Sequence, residues 1–335
     1  MGQQIITQQG VFGGGSVAAI NANFSALFAT SLTVGNVFYL DPATGSDSSG
    51  TGSAGAPFAT LQTAYDACAS GNNDTVVLVG DGTTAATARV NSAFTWSKNA
   101  TNLLGICSPT LYSQRARIAP TAATTAFANF FTVSGSGCTF QNIQWFHGFD
   151  TGVAAEICMT LTGSRNVFNY CHIAGIGDTT GSASAASRCL KIGLAGSGEN
   201  LFNDCVIGID TVTRSAANAS VEFAADTARN TFRRCHFPIM TSSATALGIL
   251  GTGAACCDRS QVFEDCTFEN AIKSTSTAMT VLGSFTSASP GGMVIFRNCA
   301  TVGMTKLGDT NFLANSFVDM AAVSGSAGGL MVAPS

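Results

Sequence analysis

The chain has 335 residues, a formal net charge of −4 and only 10% charged residues, against about 25% in ordinary soluble domains. It lacks the clustered Lys and Arg that neutralise phosphates, and no apolar run reaches the roughly 18 residues of a membrane span. We therefore expect neither a nucleic-acid nor a membrane partner. A sparsely charged surface repels its neighbours weakly, which suits a protein within an assembly. It also suits a free solenoid whose walls carry Ser and Thr.

Residues 1–35 are predicted to form a separate N-terminal head with a short helix. Ser16 is a good N-cap residue, and the apolar residues after it follow helical spacing: Val17, Ile20, Phe24, Leu27 and Phe28. Such a short amphipathic helix cannot bury its stripe alone, so it packs either on its own domain or on a partner. We predict that it is the attachment element.

The first residues also lack the basic region and apolar core of a secretory signal. We therefore expect the chain to be made and folded in a cytoplasm.

Residues 36–80 contain a strand, a long polar turn, a helix and a second, buried strand, in that order. The helix is predicted near residues 57–69, and one of its faces is apolar: Phe58, Leu61, Ala64, Tyr65 and Cys68. This order resembles the opening of pectate-lyase-like right-handed parallel β-helix proteins, notably those of phage particles, whether capsid-decorating, head-fibre or tailspike-like. In that family the helix caps the open end of the solenoid. The resemblance covers roughly residues 36–300 and says little about activity, because the family includes lyases, hydrolases, adhesins and inert virion parts.

The pattern Phe-x-x-Cys-x-apolar dominates residues 166–304, and its phenylalanines are 34, 30, 31 and 33 residues apart. A fixed period of this kind indicates a solenoid. Each copy is short, rich in β-branched and aromatic residues, and bounded by turn residues, so the unit is built from strands. The predicted fold is therefore all-β, a parallel β-helix in which equivalent residues of successive coils stack. We expect two internal ladders, formed by Phe168, Phe202, Phe232, Phe263 and Phe296 and by Cys171, Cys205, Cys235, Cys266 and Cys299.

The twelve cysteines are interpreted as reduced, small core hydrophobes. Parallel Cβ vectors in stacked coils keep the β-carbons further apart than the roughly 3.8 Å that a disulfide prefers. The adjacent pair Cys256 and Cys257 would point to opposite faces if it lies in a strand.

The β-helix is predicted to span residues 36–305, and residues 306–335 to form a C-terminal cap or tail. After Cys299 the repeat fades. Phe312 and Phe317 are the candidates for closing the lower end of the solenoid.

The acidic residues offer the main candidates for chemistry, because a glycosidase needs two suitably spaced carboxyl groups. The candidates are Asp178, Glu199, Asp204, Asp210, Glu222, Asp226, Glu264, Asp265 and Glu269. Asp204 and Asp265 share a repeat position two coils apart, near 10 Å, which is too wide for a retaining pair. Their position suggests an outward turn where a charge is simply solvated.

The remaining polar motifs also favour structural roles. His172 and His236 each follow a ladder cysteine, but neighbours on a strand face opposite ways and cannot hold one ion. His147 is interpreted as a surface or packing residue. Asp41 and Asp47 are compatible with calcium or with ordinary Asx-turn bonding. We find no Ser-His-Asp arrangement, phosphate loop or zinc spacing, and predict no catalytic, cofactor-binding or metal-binding residues.

The sequence thus favours a non-enzymatic virion protein that decorates or cements a phage capsid through its termini. Its expected partners are sister subunits in a homotrimer and the major capsid protein or another virion protein. The alternative is a tailspike or tail fibre that binds or cleaves host surface polysaccharide. If it cleaves the polysaccharide, the protein is an enzyme.

Overall fold

The computed structural model describes residues 35–319, apart from residues 109, 111, 115, 122–126, 150, 194–196 and 271–275. The predicted attachment stripe, from Val17 to Phe28, lies outside these residues, as does most of the predicted C-terminal tail.

The described chain folds into a parallel β-solenoid of about 7 turns. Three parallel sheets form its walls, and the chain visits them in turn, so that each strand pairs with the equivalent strands of the coils before and after it. Sheet 1 contains, in spatial order, β1 (Val37–Leu40), β2 (Thr75–Val79), β5 (Asn102–Ile106), β8 (Thr139–Gln141), β11 (Val167–Asn169), β14 (Leu201–Asn203), β17 (Thr231–Arg233), β20 (Arg259–Glu264), β23 (Gly292–Arg297) and β26 (Ser316–Asp319). Sheet 2 contains β3 (Ala88–Val90), β6 (Arg117–Pro120), β9 (Gln144–Phe146), β12 (His172–Ala174), β15 (Val206–Ile207), β18 (His236–Ile239), β21 (Thr267–Asn270) and β24 (Ala300–Val302). Sheet 3 contains β4 (Phe94–Trp96), β7 (Asn129–Val133), β10 (Ile157–Leu161), β13 (Arg188–Ile192), β16 (Ala219–Ala224), β19 (Leu247–Thr252), β22 (Met279–Phe285) and β25 (Met304–Gly308).

A helix lies within the predicted range of residues 57–69, but it is shorter. Helix α1 (Leu61–Asp66) begins after the N-cap Thr60, whose hydroxyl accepts a hydrogen bond from the Thr63 amide. Phe58 is not helical, because its backbone bridges to β1 and its amide donates to the carbonyl of Tyr39.

Helix α1 covers the interior of the first coils. The ring of its Tyr65 lies 4.7 Å from Trp96 and 5.4 Å from Phe94, between ring centroids. The Tyr65 hydroxyl accepts hydrogen bonds from the amides of Ser97 and Lys98, so the one polar group of this side chain is satisfied on burial.

The five ladder phenylalanines form one column of stacked rings inside the solenoid. Adjacent centroids from Phe168 to Phe296 are 4.6, 4.6, 4.7 and 5.4 Å apart, with the planes within 14° of parallel. Phe140 of the preceding coil continues the column 4.8 Å from Phe168. The spacing follows from the strand pairing, which places equivalent residues in register roughly 4.8 Å apart.

The five ladder cysteines form a second column beside the rings. Each thiol donates a hydrogen bond to the backbone carbonyl of the phenylalanine in the preceding coil. For Cys171, Cys205, Cys235, Cys266 and Cys299 the sulfur–oxygen distances are 3.4, 3.4, 3.4, 3.4 and 3.3 Å. All twelve cysteines are free thiols, and all but Cys107 and Cys299 are buried.

The expectation for the vicinal pair Cys256 and Cys257 needs correction. The pair lies in a turn between β19 and β20 rather than in a strand, and both side chains are fully buried.

A third internal column consists of side-chain amides and was not predicted from the sequence. Asn166, Asn200, Asn230 and Gln261 are all fully or almost fully buried. The Asn200 side-chain amide donates to Asn230 Oδ1 at 2.9 Å, and Asn230 donates to Gln261 Oε1 at 3.0 Å. The same oxygens accept from the backbone amides of the preceding coil. This column therefore satisfies backbone groups at the corner where each coil enters sheet 1.

The solenoid continues past residue 305, where the sequence analysis ended it. Strand β25, a terminal helix and strand β26 complete a last coil, in which β25 pairs with β22 and β26 pairs with β23. A short helix α2 (Thr179–Ser182) lies earlier in the chain, between β12 and β13. The terminal helix is α3 (Thr310–Ala314). Its Phe312 is fully buried, 4.9 Å from Phe285 and 6.1 Å from Phe296 between centroids, and closes the lower end of the ladder. Within the described part of the chain, no helix has the length and apolarity needed to cross a bilayer.

Candidate functional site

The exposed acidic candidates lie at the turns, where they pair with arginines of neighbouring coils. Asp204 accepts two hydrogen bonds from Arg234, at 2.8 and 2.7 Å. Glu199 lies between Arg165 at 2.8 Å and Arg229 at 2.6 Å. These acids project outward as expected, but each is neutralised by a cation one coil away instead of being simply solvated.

Glu264 and Asp265 also have partners in a neighbouring coil, a cation for Glu264 and a neutral amide for Asp265. Glu264 pairs with Arg233 at 2.7 Å, and Asp265 accepts from the Asn298 amide at 2.7 Å. Asp226 lines the same surface cluster as Glu199. The residue before each ladder cysteine adopts the left-handed conformation, with φ of 51° at Asp204 and 54° at Asp265, which turns its side chain out of the coil.

Glu222 is the one of these acids whose ion pair is buried. Its carboxylate lies 2.5 Å from Arg188 Nε, and both side chains are less than 10% exposed. Lys191 lies 3.4 Å away, and the Thr252 hydroxyl donates to the carboxylate at 2.8 Å. Burial by itself raises the pKa of the Glu222 carboxyl, but Arg188, Thr252 and Lys191 outweigh it and hold the pKa below its usual value. This acid is therefore an ionised structural group.

Three further aspartates serve the backbone. Asp178 caps α2 by accepting from the amides of Thr180 and Gly181. Asp41 accepts from the Ala43 amide at 2.9 Å in an Asx-type turn, and Asp47 accepts from the Ala59 amide at 2.8 Å. Among the described residues, no group of three His, Cys, Asp or Glu side chains is placed to hold a metal ion.

A concave site of about 250 Å³ lies on the outer face of sheet 2. Its floor is an in-register row contributed by three successive coils: Arg117, Gln144 and His172. Arg117 Nε donates to Gln144 Oε1 at 2.5 Å, Gln144 Nε2 donates to His172 Nδ1 at 3.0 Å, and His172 Nε2 donates to the Gly208 carbonyl at 2.9 Å. Each member of the chain is thereby held in one orientation.

His172 is neutral in this arrangement. Burial lowers its pKa to about 4, and the Gly208 carbonyl, Arg117 and Asp210 have smaller effects. Both ring nitrogens are engaged, one by Gln144 and one by the Gly208 carbonyl. His172 is therefore not available as a general base.

Three aromatic rings from two segments of the chain border this site. Phe146 and Phe149 lie 4.5 Å apart between centroids, and the Arg89 guanidinium lies 4.4 Å above the Phe149 ring. The third ring, Tyr112, belongs to the β5–β6 loop and makes edge contacts with His172 and His236. The three rings together make the pocket partly apolar.

The Tyr112 hydroxyl contacts a strand several coils further along the solenoid. It hydrogen-bonds to His236 Nδ1, and His236 Nε2 lies 3.2 Å from Glu269. Burial, with smaller contributions from Asp210 and Glu269, raises the pKa of Tyr112 to about 12, so the phenol keeps its proton at neutral pH.

The predicted histidines thus have separate roles. His172 and His236 lie on the outer face of sheet 2, on the opposite side from their neighbouring cysteines, as the strand geometry predicts. His147 is fully buried, with its ring 6.0 Å from Phe127 and 5.3 Å from Phe130, and is a packing residue. Tyr112, Arg117 and Gln144 were not predicted as site residues from the sequence. The available signal was the pair of Cys-His dipeptides two coils apart, which places two imidazoles on one outer face.

The chemistry of this site favours binding over hydrolysis. Among the described residues that line it, Asp210 is the only carboxylate, whereas glycoside hydrolysis by the usual route requires two. Aromatic faces, a fixed guanidinium, an amide and one carboxylate instead match a small site that orients a polar ligand.

No protein-family model and no curated protein sequence matches the chain. Solved structures do match. A pectin methylesterase in complex with a hexasaccharide aligns with a TM-score of 0.54 and 13% identity, over 88% of this chain and 92% of that chain. The fold is that of a right-handed parallel β-helix. Pectin methylesterase PemA from Erwinia chrysanthemi aligns with this β-helix at 0.50 and 13% identity, over 90% and 92% of the two chains.

A phage protein is also among the structures similar to this β-helix. The tailspike of an Acinetobacter phage aligns with a TM-score of 0.39 and 12% identity, over 72% of this chain and 51% of that chain. That alignment is too loose to bear on function, and the two methylesterase alignments, at 13% identity, establish the fold alone.

Proposed function

We propose that this β-helix is a non-enzymatic structural protein of a phage particle, which decorates or cements the capsid. The observation that supports the proposal is the pairing of the acidic candidates. Asp204, Glu199, Glu264 and Glu222 each bind a cation of a neighbouring strand or coil, and the concave site on sheet 2 has a single carboxylate among its described lining residues. These groups are engaged in holding the coils in register and are not free for acid–base chemistry.

The same pairing supports a role inside an assembly. With 10% charged residues and exposed acids neutralised by adjacent arginines, the walls of the β-helix carry little unbalanced charge. Neighbouring subunits can approach closely at a small electrostatic cost. The proposal includes a homotrimer, contacts with the major capsid protein or another virion protein, and attachment through the head of residues 1–35 and the C-terminal tail. The protein is made in the host cytoplasm and resides in the virion.

Deletion of residues 1–35 tests the attachment. We expect the truncated protein to remain a folded β-helix by circular dichroism and to lose binding to particles in electron micrographs. A finer test compares Phe24→Asp, on the predicted apolar stripe, with Asn23→Asp, beside it. Phe24→Asp is expected to lose decoration and Asn23→Asp to keep it. Full occupancy of particles by the truncated protein would show that the head is not the anchor.

A second candidate function is that of a tailspike or tail fibre that binds or cleaves host surface polysaccharide. The observation in its favour is the aromatic-lined site on sheet 2. Incubation of the protein with host capsule or lipopolysaccharide, followed by mass spectrometry of the soluble fraction, discriminates between the two. Released oligosaccharides would refute the non-enzymatic proposal, whereas retention of the polysaccharide without cleavage would support a binding protein.

A further inference from the structure

We propose that the concave site on sheet 2, bordered by Tyr112, Phe146 and Phe149, binds one ring of a neutral saccharide. The inference rests on the second candidate function and gives it a place and a ligand class. At about 250 Å³, the site lies just below the range of roughly 300–1,000 Å³ for pockets that bury drug-sized ligands. Its size suits a single sugar ring with the rest of the chain outside.

The aromatic rings are already fixed in position. Tyr112 is held by its hydrogen bond to His236 and by edge contacts with two imidazoles, at centroid distances of 6.1 Å for His172 and 5.6 Å for His236. Phe149 lies between Phe146 and Arg89. Rings that are ordered before binding lose little conformational entropy on binding. A pyranose presents C–H groups on its faces, and these pack on exposed aromatic surface.

The polar groups are those that hydroxyl groups require. Asp210 supplies an acceptor, and the hydroxyls of Ser113 and Thr211 can donate or accept. Because Gln144 orients Arg117 and His172 orients Gln144, the polar floor keeps one arrangement. Recognition of a polyol depends on such fixed directions, since each hydroxyl must exchange its water for a correctly placed partner.

The balance of charge selects a neutral ligand. Arg89 and Arg117 bring two positive charges to the site, while Asp210 lines it and Glu269 lies beside His236. His172 is neutral because burial lowers its pKa to about 4. The two cations also face aromatic rings: Arg89 lies over Phe149, and Arg117 lies 5.9 Å from Phe146 and 5.7 Å from Phe149. The site therefore has no surplus positive charge with which to attract a phosphate or a carboxylated sugar.

Saturation-transfer NMR on the full chain tests the inference, with methyl glycosides of glucose, galactose, mannose and N-acetylglucosamine as probes and methyl glucuronide as the anionic probe. We expect at least one neutral glycoside to bind and the glucuronide to bind more weakly. Tyr112→Ala and Phe149→Ala are each expected to weaken binding about tenfold or more, as truncation of a central aromatic contact does. Tyr112→Phe keeps the ring and is expected to stay within a few-fold of the native protein.

Tyr170→Ala is the matched control. Tyr170 is 45% exposed and Tyr112 40% exposed, but Tyr170 lies at the turn before Cys171 and does not line the site. Circular dichroism of each variant verifies the fold. Equal binding by the Tyr112→Ala and Tyr170→Ala variants, or a preference for the glucuronide, would overturn the inference.

Whole host polysaccharide separates this inference from the function on which it rests. If Tyr112→Ala and Phe149→Ala still retain the polysaccharide as the native protein does, the second candidate function stands and this site is not where binding occurs. If the native protein retains neither polysaccharide nor glycosides, both are wrong.

Discussion

Truncation of one ring in the phenylalanine ladder tests the architecture most directly. Phe202 is fully buried, and its centroid lies 4.6 Å from each of its neighbours, Phe168 and Phe232. Phe202→Ala removes a ring from a column whose other members are fixed in register by the pairing of β11, β14 and β17. The rings on either side of the gap cannot approach each other to fill the cavity, because adjacent strands stay roughly 4.8 Å apart.

The expected cost in the free energy of unfolding is therefore about 4 kcal/mol, within the range for Phe→Ala substitutions in a core. Against a typical domain stability of about 5–15 kcal/mol, this is a large loss. Leu201→Ala is the matched control, because Leu201 precedes Phe202 on the same strand, faces outward and is only half-buried. Its expected cost is about 1 kcal/mol.

Urea unfolding followed by far-ultraviolet circular dichroism measures both variants against the native protein. The midpoint should fall far more for Phe202→Ala than for Leu201→Ala, at an unchanged dependence on urea concentration. Equal losses, or a greater loss for Leu201→Ala, would refute the inward stacking of the rings.

Three further predictions concern titration, ion pairing and thiol reactivity. Burial lowers the pKa of His172 to about 4, whereas an unfolded histidine titrates near 6.5, so between these pH values the folded protein binds fewer protons than the unfolded chain. The free energy of unfolding should therefore fall by up to about 3 kcal/mol as the pH drops from about 6.5 to about 4. Parallel pH profiles of urea unfolding for the native protein and His172→Gln would contradict this prediction. Glu222→Gln leaves the buried Arg188 without its carboxylate and should cost about 3 kcal/mol in the same assay, so a loss below about 1 kcal/mol would show that the pair is not buried in solution. Iodoacetamide should label Cys107 and Cys299 first, because they are the partly exposed thiols, and mass spectrometry showing equal labelling of the buried ladder thiols would mean that the coils open readily.

The ladders were predictable from the sequence because a solenoid repeats one local environment. A position that faces inward in one coil faces inward in the next, so Phe202 and Phe232 need the same residue type, and the spacing shows it. The sequence contains the same periodic signal for the amide column, since Asn166, Asn200 and Asn230 each lie two residues before a ladder phenylalanine. The prediction rested on the ring and the thiol of the repeat and did not include the amide at its first position.

The site on sheet 2 was far less predictable. Its floor comes from three coils, and its Tyr112 bonds to a residue 124 positions later in the chain, a contact that no local pattern encodes. The end of the solenoid was misplaced for a different reason. The Phe-x-x-Cys pattern stops with Cys299, but β26 still pairs with β23 and needs only extended backbone to do so. Backbone pairing can thus outlast the side-chain pattern that reveals it.

The bond from Tyr112 to His236 makes the solenoid less one-dimensional than its coils suggest. In a stack where each coil contacts only its neighbours, unfolding can start at an end and progress one coil at a time. The loop that carries Tyr112 leads into β6, whereas His236 begins β18, four strands further along sheet 2 and roughly 19 Å away. This hydrogen bond spans the middle of the molecule. Unfolding that starts at the C-terminal end and reaches β18 must therefore break the bond to Tyr112, which belongs to a coil near the opposite end.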